Sequence, residues 1–231
     1  MNVYYENEKA GLLSSSTKAG SNINFVYDPM LELRADFISK SVTIGGRYED
    51  YVAVDSLCLG YTNATSYELI TEELEVSGIC RDRITIHDLK ETIFINSFIL
   101  RLEGLDPLYL GHLFLGKKVI LPRFIVEPKY GINLRGEVSH SSGGQVLGIK
   151  RNKLSSFSVN YKRLSLEEKN ILESYVNEVQ NVQPHIIDPY TEVRQEFPPM
   201  YATISNSNVT FPKRNEPGFY YNGSLSWQEA R

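Results

Sequence analysis

Apolar and polar positions alternate with a period of two over most of this chain, and switch to a helical period once. The clearest strand is Phe157, Val159 and Tyr161, interleaved with Ser158 and Asn160, the pattern of a half-buried strand. Phe98, Leu100 and Leu102 alternate with Ser97, Ile99, Arg101 and Glu103. Val42 and Ile44 alternate ahead of Gly45-Gly46, read as a turn, and Tyr51, Val52, Val54, Leu57 and Leu59 follow. Further short runs are Ile84 to Leu89 and Tyr109 to Pro122, the latter divided by Gly116-Lys117-Lys118. Short strands punctuated by turns point to a mainly β chain of sandwich or barrel type.

The one helical stretch follows Leu164. Ser165 and Glu168 have the spacing of a capping box, in which each side chain satisfies the other's backbone N–H. Glu167 and Glu168 put negative charge in the first turn, where the helix dipole favours it. Leu166, Ile171, Leu172, Tyr175, Val176 and Val179 form one apolar stripe. Pro184 stops the helix, predicted over about 166–180, and extended chain resumes through His185 to Pro189. The stripe predicts that Ile171→Asp unfolds the C-terminal half, by burying an unpaired carboxylate.

Three segments follow from this pattern: a polar, Ser/Gly-rich arm over 1–24, a β-sandwich over 25–122, and a second β domain with its helix over 123–231. Arg123 to Arg135 reads as the crossing between the last two. GEVSHSSGGQVLGIKR reads as a hairpin or loop. The core of the C-terminal domain is expected to include Phe157, Val159, Tyr161, Ile171, Leu172, Tyr175, Pro189, Leu225 and Trp227, with Ser165 and Glu168 capping the helix.

Composition removes function classes rather than adding one. Charged residues are 23% of 231, the formal net charge is −4 and the sequence pI about 5.7, which argues against a general nucleic-acid binder. No apolar run is long enough to span a bilayer, and the N-terminus does not read as a secretory signal. Cys58 and Cys80 lie in strand-like contexts and read as small buried side chains in a reducing compartment.

Candidate chemistry is sparse. His87, His112, His140 and His185 have neither the spacing of a metal pair nor a neighbouring cysteine. His140-Ser141-Ser142 lacks the strand–Ser–helix setting of a nucleophile elbow. The carboxylate pairs Glu49-Asp50 and Glu72-Glu73 point to opposite faces of a strand, and Glu167-Glu168 serves the helix. No phosphate loop is present, so no cofactor is expected and the chain reads as non-enzymatic. Asn63-Ala64-Thr65 reads as an Asx turn rather than a glycosylation acceptor. Tyr4, Tyr5, Tyr220 and Tyr221 are read as exposed, suited equally to an interface and to plain packing.

The C-terminal half resembles bacteriophage tail-tip proteins of the minor tail or distal tail (baseplate hub) kind. The resemblance rests on GEVSHSSGGQVLGIKR, SSFSVNYKRLSLEEKNILESYVNEVQNVQPHIIDPY, FPPMYATIS and the closing FPKRNEPGFYYNGSLSWQEAR, in order over roughly the last hundred residues. In the first half, VDSLCLGYTNATSYEL and INSFILRLEGLDPLYLGHLFLG are similar to discoidin or galactose-binding-like sandwiches. There Asp55 and Asn63 take the places of the candidate ligand face, while the only tryptophan, Trp227, lies outside that half. The resemblance implies a jelly-roll-like sandwich and a tail-tube-like β-barrel or sandwich flanked by one helix. It also implies a homo-oligomeric ring, taken as a hexamer, in a virion tail assembled in the host cytoplasm. Other tail proteins would be its partners, with DNA passing unbound through the lumen, and host surface glycan is a further candidate partner. The alternative is a carbohydrate-binding module of a host-recognition protein.

Overall fold

Two unusually long strands decide the architecture. The computed structural model describes residues 1–5, 12–15, 22–27, 34–81, 83–123, 128–140, 146–189, 198–206, 208–213 and 220–230. In chain order the strands are β1 (Asn2–Tyr4), β2 (Leu12–Ser15), β3 (Ala35–Phe37), β4 (Ser41–Thr62), β5 (Ala64–Thr71), β6 (Glu75–Ile79), β7 (Ile84–Gly104), β8 (Leu108–Gly116), β9 (Val119–Ile120), β10 (Lys129–His140), β11 (Val146–Leu164), β12 (His185–Asp188), β13 (Met200–Ile204) and β14 (Tyr221–Glu229). One α-helix, α1 (Leu166–Val179), lies between β11 and β12, and a 3-10 turn spans Ile23–Tyr27. The protein is mainly β, with antiparallel sheets. It divides into an N-terminal unit, Asn2–Ile120 with His185–Met200, and a C-terminal unit, Leu121–Pro184 with Tyr201–Ala230.

In the N-terminal unit, β4 has 22 residues and β7 has 21. Extended, 22 residues would reach roughly 70 Å. Yet Ser41 pairs with Glu103 and Ala64 with Gly104, so β4 begins and ends at the same place. It achieves this by folding back with β7 at two bulges. Tyr48 to Tyr51 stand opposite Asn96 alone, and Leu89 to Thr92 opposite Asp55 alone. Such bulges bend a ladder and increase its twist. The two halves of the bent ladder become two layers. β2, β5 and β6 extend one, and β8 and β3 the other. Between them lies one core, with Val42, Ile44, Leu69, Leu100 and Leu102 meeting Leu57, Leu59, Leu110, Leu113 and Leu115.

This geometry corrects the turn read at Gly45-Gly46, which lies inside β4. A Cβ on Gly46 would come within 2.2 Å of the Phe98 ring, so the glycine makes room for a core side chain in the paired strand.

The arm expected over 1–24 is also corrected at its start. β1 pairs with β12 on one side and β9 on the other. Tyr4 and Tyr5, expected to be exposed, are buried, and Tyr4 meets the Phe114 ring edge-on at 5.7 Å. Three residues are too few to show a period, and both partner strands are remote in sequence. β2 adds to the edge of β4, and residues 6–11 and 16–21 of the expected arm lie outside the described residues.

The C-terminal unit contains a ladder in the order β10-β11-β14-β13, with α1 on one face. The stretch read as an inter-domain crossing is in part β10, which pairs with β11 from Lys129 to His140, while residues 124–127 lie outside the described residues. The capping box forms as read: Ser165 Oγ accepts from Glu168 N at 3.1 Å, and Glu168 Oε2 accepts from Ser165 N at 2.8 Å. Leu172, Tyr175 and Val179 face the sheet. Phe157, Val159, Tyr161, Leu225 and Trp227 are buried. Trp227 stacks on its cross-strand partner Phe157 at 5.6 Å and donates from Nε1 to Tyr175 Oη at 2.8 Å, fastening helix to sheet.

Two expected core residues stand elsewhere. Ile171 is 37% exposed, because the buried line runs through Leu172, Tyr175 and Val179 and leaves its neighbour on the flank; Leu166 is exposed for the same reason. Pro189 is buried, but it follows β12 in the N-terminal unit, since the chain leaves the helix after Pro184 and β12 pairs with β1. Tyr220 and Tyr221 are half-buried, and the Lys169 ammonium lies 5.3 Å from the Tyr221 ring centroid.

Candidate functional site

The N-terminal unit places the sequence-selected residues at two different positions. Asn63 sits in the tight link between β4 and β5 and reaches across to the β7–β8 connection. Its Nδ2 donates to the Pro107 carbonyl at 2.8 Å and its Oδ1 accepts from Tyr109 N at 2.8 Å. Thr62 Oγ1 donates to the Tyr109 carbonyl at 2.6 Å, and the Arg34 guanidinium lies 4.0 Å over the Tyr109 ring. The side chain expected to make an Asx turn instead clasps a second loop, using both ends of its amide.

Asp55 lies at the second bulge of β4. Its Oδ1 accepts from Ser56 Oγ at 2.7 Å and from Lys118 N at 2.9 Å. Ser56 Oγ, fully buried, also lies 3.2 Å from Asp88 Oδ1, which accepts from Lys118 Nζ at 2.8 Å and from Tyr4 Oη at 3.3 Å. This network is a polar seam between the β4/β7 ladder and β1. Burial pushes the Tyr4 hydroxyl pKa well up, and the nearby Cys58 and Asp88 push the same way, so it stays a donor. Asp55 and Asn63 thus belong to separate hydrogen-bond networks. Each has its hydrogen bonds inside the protein.

A third polar group joins β5 and β7. Tyr67 Oη and His87 Nδ1 share a hydrogen bond of 2.5 Å with the rings edge-on, and burial raises the Tyr67 pKa, with Cys80 adding to the effect. Burial pushes the Cys80 thiol up to about 11, against the hydrogen bond with Thr85, which keeps it a poor nucleophile at neutral pH. His112 and His185 are buried. The side chain of His140 and the following serines fall outside the described residues. Among the described residues no group of three or more His, Cys, Asp or Glu is arranged to hold a metal, and no helix is long and apolar enough to cross a membrane.

The residues that the sequence reading passed over lie where β4 and β7 bend. Tyr51 and Phe94 are 61% and 57% exposed. Phe94 stands opposite Ala53 in the ladder, and Tyr51 is two residues from Ala53, so by alternation the two rings share the outward face on adjacent strands. Their neighbours Val52 and Ile95 point into the core. Glu49, Asp50, Lys90, Glu91 and Thr92, in the two bulges, are all exposed around them. The available signal was an aromatic out of phase with the buried positions on either side of it.

No protein-family profile and no curated protein matches the chain. Solved structures with a similar fold over about half of it include the CBM32 domains of Clostridium perfringens ZmpB, with a TM-score of 0.43 and 9% identity, covering 50% of this chain and 36% of that one. The family 32 module of Clostridium perfringens NanJ, solved in complex with galactose, has a TM-score of 0.38 and 12% identity, covering 45% of this chain and 91% of that one. The family 32 carbohydrate-binding module of Streptococcus pneumoniae EndoD has a TM-score of 0.38 and 12% identity, covering 50% and 99%. Likeness of this size assigns neither ligand nor site to the present chain.

Proposed function

We propose that this chain is a non-catalytic carbohydrate-binding module of a host-recognition protein. The observation that supports it is the pair of rings left in solvent at the bend of β4 and β7. The N-terminal unit buries Tyr4, Phe37, Tyr48, Tyr67, Phe98 and Phe114, yet leaves Tyr51 and Phe94 in solvent where β4 and β7 bend. An exposed aromatic face offers an apolar, electron-rich surface to the C–H face of a sugar ring, and its two side-chain torsions cost little to order. Asp55, Asp88 and Ser56 are engaged with one another and with Lys118. The similar structures named above are carbohydrate-binding modules, which agrees with this reading without carrying it. The test is calorimetric titration of the full chain with glycans chosen from an array. Saturable binding to at least one glycan is the expected result, and a flat response across neutral and acidic glycans overturns the reading.

A second reading, a homo-oligomeric ring in a phage tail, is favoured by one separate observation. Among the described residues β10 is the terminal strand of the C-terminal ladder, with Tyr130 and Ile132 exposed. An open edge with apolar side chains is suited to pairing with a strand of another copy. Light scattering and negative-stain imaging on one sample test it. A ring with a central opening supports it, and a monomer at every concentration up to the millimolar range removes self-assembly of the free chain.

A further inference from the structure

We infer that the bend of β4 and β7 is the glycan-binding surface and that it takes an uncharged glycan chain across two successive sugar rings. The inference rests on the carbohydrate-binding reading and assigns it a site and a ligand class.

Three observations lead there. The first is how the rings are held. Tyr51 closes the first bulge and is followed by Val52 in the core, while Phe94 stands between half-buried Ile93 and fully buried Ile95. Phe94 is held by its pairing with Ala53, and Tyr51 directly precedes the paired Val52, so little order is lost on binding. Ala53, opposite Phe94, is a small residue on the same outward face. The second is spacing. Phe94 is paired with Ala53 and Tyr51 lies two residues before Ala53, so the two rings stand on adjacent strands about two positions apart along the ladder. That separation suits successive rings of a pyranose chain better than one terminal sugar, which would cover a single aromatic.

The third is charge. The exposed rim supplied by the bulges has three carboxylates, Glu49, Asp50 and Glu91, against one ammonium, Lys90. Carboxylates accept hydrogen bonds from sugar hydroxyls. The same excess of negative charge disfavours sialic acid, uronic acid and phosphate groups, and with them nucleic acid. A neutral polyol meets both the apolar rings and the acceptors. The polar seam of Asp55, Asp88 and Lys118 is not part of this surface, because its groups are already paired internally.

The experiment is calorimetry on the full chain with neutral tetrasaccharides of gluco, galacto and N-acetylglucosamine type, their monosaccharides, and sialylated and uronic-acid tetrasaccharides. Wild type is expected to bind a neutral tetrasaccharide and to bind its monosaccharide and the acidic probes at least tenfold more weakly. Tyr51→Ala and Phe94→Ala, both at exposed positions, are each expected to weaken binding roughly five- to tenfold. Tyr51→Phe should retain most of it, because the ring is kept. If wild type binds a glycan and both alanine variants bind it equally well, the site assignment fails while the carbohydrate reading stands. Preferential binding of an acidic probe overturns the ligand class. If wild type binds no probe, the carbohydrate reading and this inference fall together. Capture of a protein instead, lost in the same two variants, would replace the glycan with a protein partner and likewise overturn the inference.

Discussion

Leu172 and Ile171 are neighbours on α1, and the difference between them is one step of about 100° around the helix. Leu172 is fully buried against the sheet, while Ile171 keeps 37% of its surface in water. Leu172→Ala is expected to cost about 2–5 kcal/mol, the range for a truncated core leucine. Leu172→Asp should prevent the unit from folding, because a buried carboxylate has no partner there. Ile171→Asp should cost clearly less than Leu172→Asp and leave the unit folded, because its side chain reaches water on the flank of the helix. Trp227 is the only tryptophan and is fully buried beside Tyr175, so its fluorescence in a urea titration reads this unit directly. Equal losses at 171 and 172 would contradict the helix orientation. The apolar stripe was legible from spacing, but spacing alone made it wider than the contact the sheet provides.

At the scale of elements, local signals and pairing signals fared differently. The capping box and the bounds of α1 depend on residues three apart, and both are found close to where the sequence places them. The strands are longer than expected because a glycine pair reads as a turn in isolation. Gly46 is extended chain whose missing side chain is filled by Phe98. Gly46→Ala is expected to destabilise the N-terminal unit by about 1–3 kcal/mol through overpacking. Combined with Phe98→Leu, the loss should be smaller than the sum of the two single losses, since the smaller side chain relieves the clash. Thermal denaturation of the four proteins in this cycle measures the coupling, and strict additivity would show that the two residues do not meet. The bulges that bend β4 and β7 gave no signal either. An unpaired residue is defined by the partner strand, so it cannot be read from one strand alone.

For the molecule as a whole, the N-terminus carries the clearest test. Tyr4 lies inside the N-terminal unit, edge-on to Phe114 and hydrogen-bonded to Asp88 through the seam that holds Ser56 and Lys118. Tyr4→Ala is expected to cost about 3–5 kcal/mol, as for a deleted buried aromatic. Hydrogen exchange should rise in β8 and the second half of β4, which that side chain covers. A free arm would give no change in either measurement. Sequence by itself determined what local chemistry can determine: a mainly β chain, one capped helix, and the strand carrying Phe157, Val159 and Tyr161. Those features depend on periods and spacings within a few residues. Tertiary structure alone decided that Asn2–Tyr4 is a core strand, that Asp55 and Asn63 have their hydrogen bonds inside the protein, and that Tyr51 and Phe94 share an open surface. Each of those outcomes depends on a partner far away in the chain, and the pattern of a single strand holds no record of the strand it will meet.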